Sequence, residues 1–220
     1  MIRWIILELK SETNDTRDKV KLIDLEQEKA NNSPWLEIKS FRIVLISTFT
    51  ALAIVLGYLL AYIPNIELFT LTIFLSGSIL GKRDGMIVGI FSSFIFCFFN
   101  PFGPSPLPLF TFQLFHYSLT GLVGGLSGAY LKKKEWLKKD SDMYIFPVMA
   151  IFGLLGALIT IFFQISSSLV SALSIFGTMD QFLPYFLTGL GFTIIHIVGN
   201  ILGFIFILPG LIQLISKMLY

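Results

Sequence analysis

The chain has 220 residues, 55% of them hydrophobic and 14% charged, with 16 Lys/Arg, 14 Asp/Glu and a formal net charge of +2. Soluble domains carry about 25% charged residues, so this composition excludes an ordinary water-soluble fold and points to a multi-span helical membrane protein. The single cysteine, Cys97, excludes an internal disulfide and a cysteine-based metal site, and reads as a small apolar filler.

Residues 1–40 hold seven Lys/Arg and eight Asp/Glu and no apolar run long enough to span. They read as a cytoplasmic N-terminal extension, partly disordered. Within it "DTRDKVKLIDLEQEKA" suits a short surface helix and "NNSP" a linker. The opening "MIRWIILEL" has about five apolar residues in a row, fewer than the core of a secretory signal needs. Residues 41–220 then form the transmembrane domain. Six apolar runs follow, at about 43–62, 66–81, 85–99, 109–131, 144–175 and 185–214. A helix needs about 20 residues to cross ~30 Å of hydrocarbon. The second and third runs, near 22 Å each, need a thinned bilayer or snorkelling ends. The fifth is long: it tilts, or its "SSSLVSALS" end forms a re-entrant or surface piece.

Charge sorts the ends of these runs. Segments 1–42, 81–85, 131–142 and 216–220 contain all 16 Lys/Arg, and the turns 63–67, 100–108 and 176–184 contain none. The positive-inside rule places the basic segments in the cytoplasm. The expected fold is an all-α integral membrane protein with six transmembrane helices and both termini cytoplasmic. Only two acids, Glu67 and Asp180, fall on the outer side.

Polar side chains at membrane depth face a bundle interior or a watery cavity. Gln113 and His116 share one face of the fourth run, and His196 and Asn200 one face of the sixth. Gln164 and Ser166–Ser168 lie in the outer half of the fifth, and Asn65 and Asn100 at outer helix ends. With Glu67 at the mouth, these groups converge on one outer-half volume, and aromatics such as Phe110, Phe112, Phe115, Tyr117 and Tyr185 fill its gaps. A few polar groups in apolar walls describe a small-molecule pocket. The bland alternative is that each only ties helices together, at ~0.6 kcal/mol per contact. Small residues recur every fourth position: Ala53, Gly57 and Ala61 in the first run, Gly121, Gly125 and Ala129 in the fourth, Gly199 and Gly203 in the sixth. Such faces bring helices close, inside the bundle or against another membrane protein, and the internal role is the expected one for the last two.

The sequence contains no GxxxxGK[ST] nucleotide loop, no mid-membrane acid or lysine for a proton relay and no inverted pair of broken helices. Energy for moving a solute would therefore come from a partner. "GLSG" (125–128) and "HIVGNILG" (196–203) echo rhomboid intramembrane serine proteases. A dyad of Ser127 and His196 needs contact at about 3 Å, yet the runs place them roughly 10 Å apart in depth.

Three stretches carry a broader likeness: "TALAIVLGYLLAYIPNIELFTLTIFLSGSILGKRDGMIVGIFSSFIF", "NPFGPSPLPLFTFQLFHYSLTGLVGGLSGAYL" and "IIHIVGNILGFIFILPGLI". Over about 43–215 the chain resembles the substrate-binding S component of energy-coupling factor (ECF) transporters, bacterial and archaeal importers of vitamins and other micronutrients. Its Pro-Asn-x-Glu turn and "NPFGP" loop are most similar to cobalamin-type and unassigned S components. The resemblance implies a non-catalytic six-helix subunit of the cell (inner) membrane, without cofactor, metal or nucleic acid. It implies docking through Ala53, Gly57 and Ala61 on a transmembrane coupling protein that two cytoplasmic ATPases drive. It also implies that the loop holding Pro64–Glu67 helps close the pocket. The candidate solute-binding residues are Asn65, Glu67, Asn100, Gln113, His116, Gln164, His196 and Asn200. The alternatives are a rhomboid-like protease and a stand-alone membrane transporter or channel.

Overall fold

The computed structural model describes residues 33–133 and 142–219. Most of the expected N-terminal extension and the basic segment 134–141 lie outside the described residues. Among the described residues every regular element is helical: α1 (Pro34–Glu37), α2 (Lys39–Leu60), α3 (Phe69–Leu80), α4 (Lys82–Phe98), α5 (Leu107–Lys133), α6 (Phe146–Phe176), α7 (Phe182–Thr188), α8 (Leu190–Leu202), a π-helical turn (Gly203–Ile207) and α9 (Leu208–Leu219).

Three helices are long and apolar enough to cross a membrane: α2 with 22 residues, α6 with 31, and the 30-residue rod Leu190–Leu219 built from α8, the π-turn and α9. At 1.5 Å per residue even α2 reaches about 33 Å. Their outward faces stay apolar. Ile43, Val55 and Leu59 on α2 and Leu154 and Leu158 on α6 are each more than half exposed. Water solvates a continuous surface of this kind poorly and lipid solvates it well. The described residues form an all-α fold compatible with a membrane protein.

The second and third apolar runs are short helices, as their lengths suggest. They fold as α3, of 12 residues, and α4, of 17. α3 is about 18 Å long, well short of a ~30 Å hydrocarbon core. All twelve of its residues are buried, and it packs against α2, α4, α5 and α9. Its apolar side chains therefore face protein. The expected inner turn also shrinks. Gly81 alone separates α3 from α4, with φ 97°, a backbone region open to glycine and strained for other residues. Lys82, Arg83 and Asp84 already belong to the first turn of α4.

The glycines of α3, α4 and α5 set how closely these helices cross. A Cβ added at Gly121 of α5 would lie 2.0 Å from the Gly85 carbonyl oxygen of α4, and one at Gly124 2.1 Å from the Phe74 oxygen of α3. At Gly128 it would meet the Ser78 oxygen at 2.2 Å, and at Gly89 the Tyr117 oxygen at 2.2 Å. Backbone thus rests on backbone. Gly121 and Gly125 of the small-residue face expected on the fourth run pack internally, while Ala129 is exposed.

The fifth run is one unbroken helix, α6, so "SSSLVSALS" continues helically to Phe176. Gly177, at φ 71°, ends it and returns its N–H to the Leu173 carbonyl. The sixth run is divided. α7 is a short separate helix, and the rod begins at Leu190. Pro209 removes one helical N–H. Just before it the ladder widens, with the Leu208 N–H reaching back to the Gly203 carbonyl. Tyr144 Oη donates to the Phe206 carbonyl there at 2.9 Å.

The described Lys and Arg residues sit at helix ends that meet: the start of α2 (Lys39, Arg42), the start of α4 (Lys82, Arg83), the end of α5 (Lys132, Lys133) and the end of α9 (Lys217). Arg42 donates to Asp84 Oδ2 through Nε at 2.9 Å and Nη2 at 2.5 Å. Asp84 is buried in the first turn of α4, where the helix dipole also favours an acid. Ser33 Oγ donates to the Leu219 carbonyl at 2.6 Å, tying the two ends of the described chain together.

Gly121→Val places methyls into the α4 backbone and is expected to cost about 3 kcal/mol or to abolish folding. At Gly191 an added Cβ meets nothing within 4 Å, so Gly191→Ala is expected to leave stability unchanged or slightly raised. Equilibrium unfolding of both variants in detergent micelles checks the pair. Equal stability would remove the glycine crossing as the organiser of the bundle.

Candidate functional site

The connector 61–68 turns the chain from α2 into α3. Asn65 takes φ 57°, the single non-glycine residue with positive φ among those described, and asparagine tolerates this conformation better than most. The turn delivers Glu67 just before α3. Its Oε2 accepts the Thr70 N–H at 2.9 Å, a free donor of the first helical turn. Its Oε1 accepts the Thr70 hydroxyl.

Two helices supply the remaining partners. Thr160 and Gln164 stand one turn apart on α6, and His196 and Asn200 one turn apart on α8. The helices meet so that these pairs face each other. Gln164 Nε2 lies 2.8 Å from His196 Nδ1, and Asn200 Nδ2 donates to Thr160 Oγ1 at 2.8 Å. Glu67 Oε1 joins both rungs, 3.1 Å from His196 Nε2 and 3.3 Å from Asn200 Nδ2. An amide nitrogen only donates, so His196 Nδ1 is the acceptor of Gln164. His196 Nε2 then carries its hydrogen to the Glu67 carboxylate. Gln164, His196, Glu67, Asn200, Thr160 and Thr70 form one connected network.

Above this network lies a cavity of about 470 Å³, within the usual size of small-molecule sites. Asn65, Gln113 from α5, Gln164, Ser167, Ser168 and Ser171 from α6, Tyr185 and Thr188 from α7, and Thr193 from α8 supply its hydrogen-bonding lining. Leu109, Phe163 and Phe192 supply apolar walls, and none of the lining residues is charged. Gln164 belongs to both the cavity and the network.

The predicted residues thus occupy distinct places. Asn65, Gln113 and Gln164 line the cavity. Glu67, His196 and Asn200 form the network beside it, and Glu67 is a partly buried acceptor of four donors. His196 and Asn200 are themselves buried. His116 is buried in an aromatic layer, its ring 4.9 Å from Phe163 and 5.1 Å from Tyr117, centre to centre. Its Nδ1 has no hydrogen-bond partner among the described residues. Asn100 lies apart: its side chain accepts the Phe102 N–H at 2.9 Å and shapes the α4–α5 loop. Thr160 and Thr70 were not foreseen from the sequence. The available signals were their spacing, one helical turn from Gln164 and from Glu67.

The face predicted for docking needs correction. Ala53 is fully buried, and a Cβ on Gly57 would press on the Phe96 ring at 2.8 Å and the Phe69 ring at 3.1 Å. These two residues admit α3 and α4 against α2, which leaves them no free surface for a partner. Only Ala61, in the turn after α2, is partly exposed. The protease dyad also finds no support here: both His196 ring nitrogens are engaged, by Glu67 and Gln164, leaving neither for Ser127.

No protein-family model, curated protein or solved structure matches the chain.

Glu67→Ala leaves the donors of Thr70, His196 and Asn200 without their shared acceptor and is expected to cost about 3 kcal/mol. Glu67→Gln keeps an acceptor oxygen and is expected to cost about 1 kcal/mol. Thermal unfolding in detergent compares the two. Equal losses would mean that the carboxylate is not the centre of the network.

Proposed function

We propose that this chain is the solute-binding membrane subunit of an importer of the ECF type, an S component that captures a vitamin-like micronutrient. The observation that carries the reading is the cavity: about 470 Å³, uncharged and rich in amides and hydroxyls, at the helix ends opposite the basic ones. On this reading α2, α3, α4, α5, α6 and the α8–α9 rod are the six helices of the bundle. The basic ends and both termini lie in the cytoplasm of a bacterial or archaeal cell, and the cavity opens outward. The connector 61–68 closes over the solute, and the Glu67 network holds the connector against α6 and α8.

The sequence has no nucleotide-binding loop of its own, so a transmembrane coupling protein and two cytoplasmic ATPases supply the energy. Because Ala53 and Gly57 are covered, the docking surface moves to the outward face of α2, where Ile43, Val44, Val55 and Leu59 are exposed. The cavity's size fits a compact vitamin-like solute better than a cobalamin-sized one.

Native mass spectrometry of protein purified in mild detergent tests the reading. The expected spectrum contains one small molecule per chain, and the purification yields the coupling protein and ATPases in a second population. Gln164→Leu is expected to weaken solute binding at least tenfold, about 1.4 kcal/mol. Lys217→Gln, at the opposite end, is expected to leave binding unchanged. Absence of any bound molecule, or equal binding by both variants, would count against the cavity as the site.

A further inference from the structure

A separate cavity of about 410 Å³ lies among the basic helix ends and shares no lining residue with the solute cavity. Arg42 from α2, Lys82 from α4 and Lys132 from α5 line it, with a single acid, Glu37 of α1. Membrane topology explains why basic residues gather at these ends. It does not require that basic residues of three helices line one cavity. A second acid, Asp84, is buried beside Arg42 and accepts from its Nε and Nη2. With both acids counted, bases still outnumber acids around the cavity. The remaining guanidinium nitrogen of Arg42, Nη1, makes no hydrogen bond among the described residues.

The backbone of the α3–α4 turn adds further donors. Gly81 lines the cavity, and a Cβ there would meet nothing within 4 Å, so the chain borders open space at this point. The N–H groups of Gly81 and Gly85 go to the Gly77 and Gly81 carbonyls. Those of Lys82, Arg83 and Asp84, in the first turn of α4, have no acceptor among the described residues. Lys82 and Arg83 also stand where the helix dipole disfavours cations. A bound anion removes this conflict, because the dipole, the N–H groups and Lys82 all favour it. Its donors come from different sides, from α2, α4 and α5, which suits a group with several oxygens rather than one.

The rim of the cavity is apolar. Ala129 lines it and is exposed, and Leu126 and Tyr130 beside it on α5 are exposed too. Trp35 and Ile38, which flank the lining residues Leu36 and Glu37, are about half exposed. Aromatic and basic residues meet in this way at a membrane–water interface, and basic pockets between membrane helices hold phosphate headgroups. We infer that this cavity binds a phosphate group, carried by the headgroup of an anionic lipid. The phosphate site stands on the cavity itself, and the lipid source rests on the membrane reading of the helices. Neither depends on the solute cavity at the opposite end.

The test is isothermal titration calorimetry on the full chain, delipidated in dodecyl maltoside. The probes are dioctanoyl phosphatidylglycerol, dioctanoylglycerol (the same chains without phosphate), inorganic phosphate and glycerophosphate. Phosphatidylglycerol is expected to bind saturably, one per chain, dioctanoylglycerol not to bind, and the soluble phosphates to bind more weakly than the lipid. Glutamate suits the start of a helix better than lysine does, so Lys82→Glu is expected to unfold no more easily than the parent while losing about tenfold or more in affinity. Ala129→Glu, at an exposed lining residue, is expected to lose as much, and decides the case alone if Lys82→Glu does not fold. Lys39→Glu makes the same charge change at the start of α2, outside the lining, and is expected to bind within about twofold of the parent.

Full affinity in both Lys82→Glu and Ala129→Glu overturns the inference. So does an equal loss in Lys39→Glu, which would mean attraction by overall charge rather than a site. Binding of dioctanoylglycerol as tight as that of phosphatidylglycerol, or no binding by any probe, overturns it as well. Soluble phosphate that binds as tightly as the lipid and is lost in Lys82→Glu keeps the phosphate site and overturns the lipid source.

Discussion

Helices α3, α4 and α5 cross at distances set by backbone atoms rather than side chains. Lipid tails are as apolar as leucine, so helices in a membrane gain little by hiding apolar side chains from one another. Close van der Waals contact and hydrogen bonding hold them together. Glycine at 77, 85, 89, 121, 124, 125 and 128 makes that contact possible, because a Cβ at each would come within 2.5 Å of a neighbouring helix backbone. Ser78 Oγ adds an interhelical bond to the Gly124 carbonyl at 3.1 Å. The result is a short helix, α3, enclosed on every side. Its N-terminus is thereby held in place, and the connector that carries Glu67 leads into it.

Glu67 shows what that placement permits. A carboxylate taken from water needs several strong donors in return. It receives the Thr70 N–H and hydroxyl from the start of α3, and His196 and Asn200 from α8. The same contacts lock α6 to α8, since the Gln164–His196 and Thr160–Asn200 pairs stand one turn apart on antiparallel helices. The acid therefore fixes three elements at one end of the bundle. At the other end Arg42 and Asp84 join α2 to α4, so each end is closed by a single acidic residue with partners drawn from distant parts of the chain.

Much of this was legible in the sequence for identifiable reasons. Helix-period spacing put Gln113 with His116 and His196 with Asn200, and the sorting of basic residues marked which helix ends belong together. Hydropathy could not say whether an apolar segment faces lipid or protein, so the complete burial of the twelve residues of α3 was not legible from the sequence. The small-residue patterns had the same ambiguity. Gly121 and Gly125 of the stripe on α5 pack internally as expected, but Ala53 and Gly57 on α2 do so too, because Phe96 and Phe69 close over Gly57, and Gly199 of the sixth run meets almost nothing. Thr160 escaped notice because a helical threonine ordinarily bonds its own helix. It does so here, to the Gly156 carbonyl at 2.8 Å, while also accepting from Asn200. Asn100 looked like its neighbours in the list of outer polar groups, but local turn geometry claimed its side chain.

The packing contrast across the bundle bears on where a guest can be accommodated. The glycine crossing of α3, α4 and α5 has no slack: a single methyl would collide with backbone at most of its positions. Around α8 the situation reverses. A Cβ at Gly191 would meet nothing within 4 Å, and one at Gly199 would meet only the Asn65 carbonyl, at 3.9 Å. The Gln113 wall of the cavity belongs to α5, which is held by the crossing. The Glu67 network stands between the two, attached to the start of α3 and to α8. Through His196 and Asn200 the carboxylate ties α8 to the start of α3, and through His196 and Gln164 the same network ties α8 to α6.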